Sequence, residues 1–454
     1  MDSVQASLVD LVHGTDFHGL DPRAVSRAAR HTLDAVGCGA GGFGSEPARI
    51  ARRVVDGAGG DRLASGYGMD RRISVEAAGF ANATANRYLD FNDFGPSGHP
   101  SDMIPAVLAM VEAVGGAGAE AVVGVHLAYE VATRLAEAVP ADGGWDQGIY
   151  CSLGIAAAQS KVLGLSREQT AHALSLAAVP AVPLRATRFG ELSHWKASAT
   201  GHAAMSATFA VRLAAAGMTG PPEPFEGKDG LLERVWPTFA LDTSPASPTA
   251  VERASLKRFP ACYWGQVPVD LATRLRSAVA VSDIASIEVA TCENAWRSIG
   301  GGRGDAAEKW RPPTRETADH SLPYLMAAVL IDGELSEAAF APARLHDPAL
   351  LAVVDRITVI ERADLSDRAT RDSCPTELRA GLVDGRELTF AADVPRGHHA
   401  DPMSDGEVAE KFHELALRAL TPPLARALAD RLWDLPGLSS LDEVAEIFRK
   451  FGRR

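Results

Sequence analysis

Four polar segments hold most of the residues in this chain that could move protons or grip an anion. The segment YLDFNDFGPSGHPSD (88–102) gathers Asp90, Asp93, His99 and Asp102 between two apolar runs. A polar loop held at both ends by rigid elements is a common seat of function. The same residues could also form a surface turn closed by Asx hydrogen bonds. LRATRFGELSHWKASATGHAA (184–204) offers Arg185, Arg188, His194 and Lys196 ahead of an apolar run, and SLKRFPACYWGQ (255–266) adds Lys257 and Arg258. Arginine can clamp a carboxylate with two parallel hydrogen bonds and lysine can neutralise one as a point charge. Spacing alone does not separate such a clamp from solvated surface cations. TRETADHSLPY (314–324) sets Arg315, Asp319, His320 and Tyr324 before another apolar run. Histidine and tyrosine both serve as proton donors or acceptors.

Other patterns carry less. Gly37, Gly39 and Gly42 match G-x-G-x-x-G, but a helical pattern precedes them where a dinucleotide site needs a strand. They read as a helix end and a close-packing surface. In HLAYE, His126 and Glu130 stand at i and i+4, a spacing that could hold a metal, yet no second histidine accompanies them and a satisfied core pair is the expectation. His398 and His399 fall in a Gly/Pro-flanked stretch read as a solvated loop. No G-x-S-x-G elbow is present, which leaves a serine hydrolase without support.

These segments need elements to aim them. The first two-thirds of the chain is helical in pattern: 26–42, 101–116, 118–139, 166–178 and 201–220 are rich in Ala, Val and Leu on most faces, as in a multihelical bundle. Ser166 with Gln169 and Ser404 with Glu407 form capping boxes. Near 281 the pattern changes. DIASIEVATC and DRITVIERADL read as strands, and TELRAGLVDGRELTFAADV reads as a hairpin turning at Asp384-Gly385. The expected architecture is mainly α: a multihelical domain built from both chain ends (1–280 and 396–454), with a smaller α+β lid domain over 281–395.

Composition bounds the possibilities. Of 454 residues, 46% are hydrophobic and 23% charged, which excludes a disordered chain or a fibre. The net charge of −13 disfavours nucleic acid and anionic lipid as partners. The five cysteines lie far apart with no CxxC, which disfavours a zinc ribbon, a disulfide scaffold or an iron–sulfur site. The start lacks a basic n-region and no apolar run reaches about 18 residues, so a cytoplasmic location is expected.

Taken together, LDFND…GHPSD, LRATRFGELSHWK, KRFPA, TRETADHSLPY and the sequel AAGMTGPPEPFEGKDGL resemble the MmgE/PrpD family, in the family's order and over nearly the whole chain. That family includes 2-methylcitrate dehydratases, cis-aconitate decarboxylases and iminodisuccinate epimerases. The resemblance implies a helical domain plus a lid, a homodimer, a site between the two domains, and no metal or other cofactor. Carried over by position, it implies functional roles for Asp90, His99, Lys196, Lys257 and Tyr324, with His320 next in line and Arg185 as in the dehydratase branch. This chain departs from the family at Gln147 and at Cys262 or Trp264, where histidines are usual, and at Phe94, where the decarboxylase has threonine.

The expected activity is that of a metal-independent dehydratase acting on a small, 2-methylcitrate-like hydroxy-carboxylate. In that reading His99 is the acid/base with Tyr324 or His320 as partner, Asp90 orients His99 or accepts a substrate hydroxyl, and Lys196, Lys257 and Arg185 hold carboxylates. Arg188, Gln147, Cys262 and Trp264 line the substrate site. A carboxylate near His99 would raise its pKa if burial is modest, and strong desolvation would lower it. An epimerase, isomerase or decarboxylase of the same family is the first alternative, and a member retaining only ligand binding the second.

Overall fold

A computed structural model describes residues 1–57, 63–139 and 144–453. Two large hydrophobic cores dominate it, with two smaller clusters beside them. The larger joins helices from both chain ends; Val36, Val107, Leu127, Leu153 and Ala207 meet Phe412, Leu428 and Phe448 there. The helices Pro22–Gly42, Val75–Tyr88, Gly118–Ala138, Gly148–Val162 and Trp195–Ala215 form its body. Small residues set how closely they approach. A Cβ on Gly39 would stand 2.1 Å from Oδ1 of Asn86, and one on Gly42 2.2 Å from the Ala85 carbonyl oxygen. The G-x-G-x-x-G match therefore packs Pro22–Gly42 against Val75–Tyr88.

The smaller core lies under a four-stranded sheet: β1 (Ile284–Thr291), β2 (Ile357–Glu361), β3 (Thr376–Leu382) and β4 (Glu387–Ala392), in the order β2-β1-β3-β4. β1 runs parallel to β2, with Ile287 opposite Ile357, and antiparallel to β3, with Val289 opposite Leu378. β3 and β4 are the expected hairpin; Gly385 takes φ +87° at its turn, a left-handed conformation that glycine tolerates. The core of this unit already includes Ala261, Val267, Leu271 and Leu275, upstream of residue 281 where the strand pattern begins. The helix Gln266–Ala278 is apolar enough to look like more of the bundle, but it packs on the sheet and on the helix Leu322–Asp332.

After the lid, the chain returns to the bundle. Ser404 caps the helix Asp405–Ala416 through the Ser404–Glu407 box. Lys411 on that helix pairs with Asp34 at 2.6 Å and donates to the carbonyl oxygens of Phe91 and Lys257. It thus ties the returning C-terminus to both segments that carry the site.

Two expectations change here. His398 is buried, its ring lies beside that of His399 with centroids 4.0 Å apart and planes tilted by 38°, and both rings lie within 3.5 Å of the Asp372 carboxylate. The loop is therefore anchored to the lid at His398, while His399 and the residues after it stay exposed as expected. Glu130 serves Arg134 (2.8 Å) and the Ala250 N–H (2.6 Å); Nδ1 of His126 is buried without a hydrogen-bond partner among the described residues, so the two do not form the satisfied pair that their spacing suggested. No helix among the described residues is long and apolar enough to cross a membrane.

Candidate functional site

Asp90 is the hub at which the two units meet. It follows the helix Val75–Tyr88 in a left-handed conformation (φ 51°), unusual for a residue with a side chain and a form of strain that accumulates at functional sites. Its Oδ1 accepts from Arg87 Nη1 at 2.7 Å and from Lys257, whose Nζ also reaches the Asp90 carbonyl oxygen at 2.8 Å. Its Oδ2 lies 3.5 Å from Lys196 Nζ and 3.5 Å from His320 Nε2, and Oδ1 lies 3.8 Å from His99 Nε2. Burial alone would raise this carboxyl; Arg87, Lys257 and Lys196 together hold it well below the ordinary range.

The loop that carries His99 is built by Asp93. Its carboxylate accepts from Ser101 N–H (3.0 Å) and hydroxyl (2.5 Å), from Tyr129 (2.7 Å) and from His31 (3.1 Å), while its own carbonyl oxygen accepts from His99 Nδ1 at 2.6 Å. A carbonyl only accepts, so the His99 proton sits on Nδ1 and Nε2 presents a bare lone pair. Gly98 (φ +92°) leaves room for Gln147, whose Oε1 would stand 1.9 Å from a Cβ there, and Pro100 opens the short turn Pro100–Met103. Burial, then Arg87 and Lys257, push the His99 pKa well below its ordinary value and outweigh Asp90. His99 is thus neutral at pH 7, the desolvated case of the two that its surroundings allowed.

His320 mirrors it. Nδ1 donates to Asp319 Oδ1 at 2.6 Å and Nε2 turns to Asp90. Burial, then Lys196, lower its pKa to about 4 against the pull of Asp319 and Asp90. Asp319, at about 2, opposes its own burial by accepting from Lys196 (2.6 and 2.7 Å), His320 and Arg315 (3.0 Å). Lys196 stands in the first turn of Trp195–Ala215, a helix that begins six residues before the apolar run that signalled it.

A cavity of about 300 Å³ opens over this cluster between the bundle and the lid. His99, His320, Arg87, Gln147, Arg185, Arg188, Cys262 and Trp264 line it; Asp90, Lys196 and Lys257 lie buried directly behind the two imidazoles. Gln147 donates to Asp102 at 3.2 Å, and burial lifts that carboxyl to about 6 despite Arg87. Arg188 is held by Asp146 (2.6 Å) and donates to the Lys196 carbonyl oxygen (2.9 Å), so it shapes the wall. Arg185 lies at the rim beside the Phe189 ring. The Cys262 thiol, raised by burial to about 11, is neutral.

Tyr324 is not part of this constellation. Its hydroxyl donates to the Ala339 carbonyl oxygen at 2.6 Å inside the lid core, one turn beyond His320 on a helix whose face there is buried. Three groups to which the sequence assigned no role belong to the site: Asp102 and Asp319, named within their polar segments, and Arg87, which was not named. Asp319 was discoverable as the anion between Arg315 and His320 in one motif. Asp102 stood in the 88–102 cluster without a role, and nothing in its local pattern marks Arg87, which ends a helix.

Residues 6–243 match the MmgE/PrpD N-terminal domain, and residues 259–435 the MmgE/PrpD C-terminal domain. The chain belongs to the MmgE/PrpD family. Curated relatives span nearly its whole length. Human cis-aconitate decarboxylase is 24% identical over 476 residues, covering 99% of this chain and 95% of that protein. The 2-methylcitrate dehydratase of Cupriavidus necator is 27% identical, covering 94% and 92%. The mitochondrial 2-methylcitrate dehydratase of Yarrowia lipolytica is 27% identical, covering 87% and 80%. Dehydratases and decarboxylases are lyases, and membership of this family is consistent with an enzyme of that class.

Proposed function

We propose that this protein is a metal-independent lyase that removes water from a small, 2-methylcitrate-like hydroxy-carboxylate by acid/base chemistry next to a carboxylate. The observation that carries the reading is His99: a neutral imidazole, its proton pinned on the Asp93 carbonyl, its Nε2 lone pair bare at the floor of a cavity backed by cations. Nε2 takes the C–H proton α to a substrate carboxylate. Negative charge builds on that carboxylate as an enediolate, and the field of Arg87, Lys196 and Lys257 stabilises it. The C–OH bond then breaks, a C=C bond forms, and the hydroxyl leaves as water once protonated. His320 is the donor in this scheme, because a bound anion raises the proton affinity of an imidazole that is neutral in the empty site. Arg185 at the rim holds an outer carboxylate.

Charge supports the metal-independent reading. Asp90, Asp319 and His320 are close enough to hold an ion, but Arg87, Lys196, Lys257 and Arg315 already surround the two carboxylates with four cations. That surplus repels a divalent metal and attracts an anion. Five free, buried cysteines suit a reducing compartment and support the cytoplasmic assignment. A homodimer joined through the helical domain completes the proposal.

Incubation of the purified protein with hydroxy di- and tricarboxylates tests the activity. An unsaturated product is expected, and no water loss with any of them contradicts it. A second reading, epimerisation or isomerisation by proton exchange, is favoured by both imidazoles being neutral in the empty site. It predicts solvent deuterium in recovered substrate without net elimination.

A further inference from the structure

One side of the cavity has no counterpart in the acid/base scheme. Phe94 lies flat on Tyr263, with ring centroids 4.0 Å apart and planes 9° from parallel. Trp264 meets Phe94 edge-on at 5.7 Å. Phe94 in turn meets the His99 imidazole edge-on at 5.7 Å, so this aromatic wall begins at the base itself. It is fixed by the backbone: Phe94 and Ser255 exchange N–H···O bonds of 2.8 Å, and the Tyr263 hydroxyl donates to the Asp372 carbonyl oxygen at 2.6 Å, away from the cavity. Phe94 and Trp264 remain half-exposed in the cavity, and the neutral thiol of Cys262 extends the apolar surface between them and the floor.

Two of the polar groups that line the cavity are engaged elsewhere, while Ser97, Asn294 and Ser298 also border it. Gln147 donates to Asp102 and Arg188 to Asp146. A carboxylate or hydroxyl placed on the ring faces of Phe94 and Trp264, away from the indole N–H, would lose its water and meet aromatic carbon, which costs free energy. An alkyl group or ring there would gain it.

We propose that the substrate is a hydroxy-carboxylate bearing an apolar substituent larger than methyl, seated on the Phe94–Tyr263–Trp264 wall with its reacting carbon over His99. This rests on the acid/base reading of the site. At about 300 Å³ the cavity stands at the small end of ligand sites, so the substituent is a short chain or a single ring.

Two parallel measurements test it. Calorimetric binding of unreactive succinates, unsubstituted and then methyl-, propyl- and butyl-substituted, reports on the wall without chemistry. Dehydration of the matching alkyl-substituted hydroxy tricarboxylates reports on both. In the wild type, affinity should rise about fourfold per added methylene up to propyl, and kcat/KM should follow. Phe94→Thr and Trp264→His should flatten that slope, whatever they do to the absolute rate. A flat or falling series in the wild type overturns the proposal, as does an unchanged slope in both variants. If Phe94 merely props His99, both variants lower every homologue alike, and the proposal fails. A binding slope without turnover of any homologue retains the wall and rejects the dehydratase reading. Turnover without a slope does the reverse.

Discussion

At the scale of the residue, the chemistry depends on which side chains reach the cavity and in what protonation state. Tyr324, Asp90 and both lysines were expected to share one cleft, and the difference among them is testable. Tyr324→Phe removes a buried hydroxyl that donates to Ala339. It should lower stability by about 1–2 kcal/mol, read as a fall in Tm, while turnover stays within about threefold of wild type. A hundredfold loss of turnover would return Tyr324 to the chemistry. The residue types at Asp90, His99, Lys196, Lys257 and His320 were legible because each sits in a short polar motif before an apolar run. Their states were not. Whether His99 is raised by Asp90 or lowered by burial depends on Arg87 and Lys257, which arrive from other parts of the chain. Its tautomer depends on a backbone carbonyl six residues away.

At the scale of the element, small residues decide the geometry that brings the loop 89–103 to the lid. Gly42→Ala places a methyl 2.2 Å from the Ala85 carbonyl oxygen, and backbone cannot yield as a side-chain tip can. The substitution should cost about 1–3 kcal/mol in thermal unfolding and should shift Arg87 and Asp90, which follow on the same segment. An unchanged Tm would mean that the close packing of these helices is unimportant. Helix and strand types were readable from period and capping, as at Ser166 and Ser404 and at the 384–385 turn. Two things were not readable. The helix Trp195–Ala215 starts before its apolar stripe, because Trp195 and Lys196 extend it over the site. The helix Gln266–Ala278 carries the composition of the bundle but packs on the lid, and only the sheet reveals which core its apolar face meets.

At the scale of the whole molecule, the inter-domain cluster couples charge to stability. His320 titrates near 4 in the folded protein against 6.5 unfolded, and His99 is also depressed. Between those values the unfolded chain binds more protons, so this contribution is fully present above about pH 6.5 and is lost as pH falls toward 4. Asp102, raised to about 6, works the other way between about 4 and 6. The histidine contribution is therefore read as a difference: Tm of wild type minus that of His320→Asn should shrink as pH is lowered from 7 to 4.5. A difference that grows on acidification contradicts the burial of a neutral imidazole. Chelators should leave activity unchanged in the assembled protein, since four cations already crowd the carboxylates that could hold a metal. Loss of activity with EDTA and its recovery with a divalent ion would reverse that assignment. Sedimentation at micromolar concentration should give a dimer, and a monomer there would remove that part of the proposal.

In the proposed chemistry Nε2 of His99 takes the substrate proton. It is tested most directly by following exchange of the substrate C–H proton with deuterium oxide by NMR, for wild type and His99→Asn. Asparagine keeps a polar side chain on the loop but supplies no base. The account predicts exchange and product formation slowed about 10²–10⁴-fold with Tm and assembly retained. Near-full exchange by a folded His99→Asn protein would contradict it.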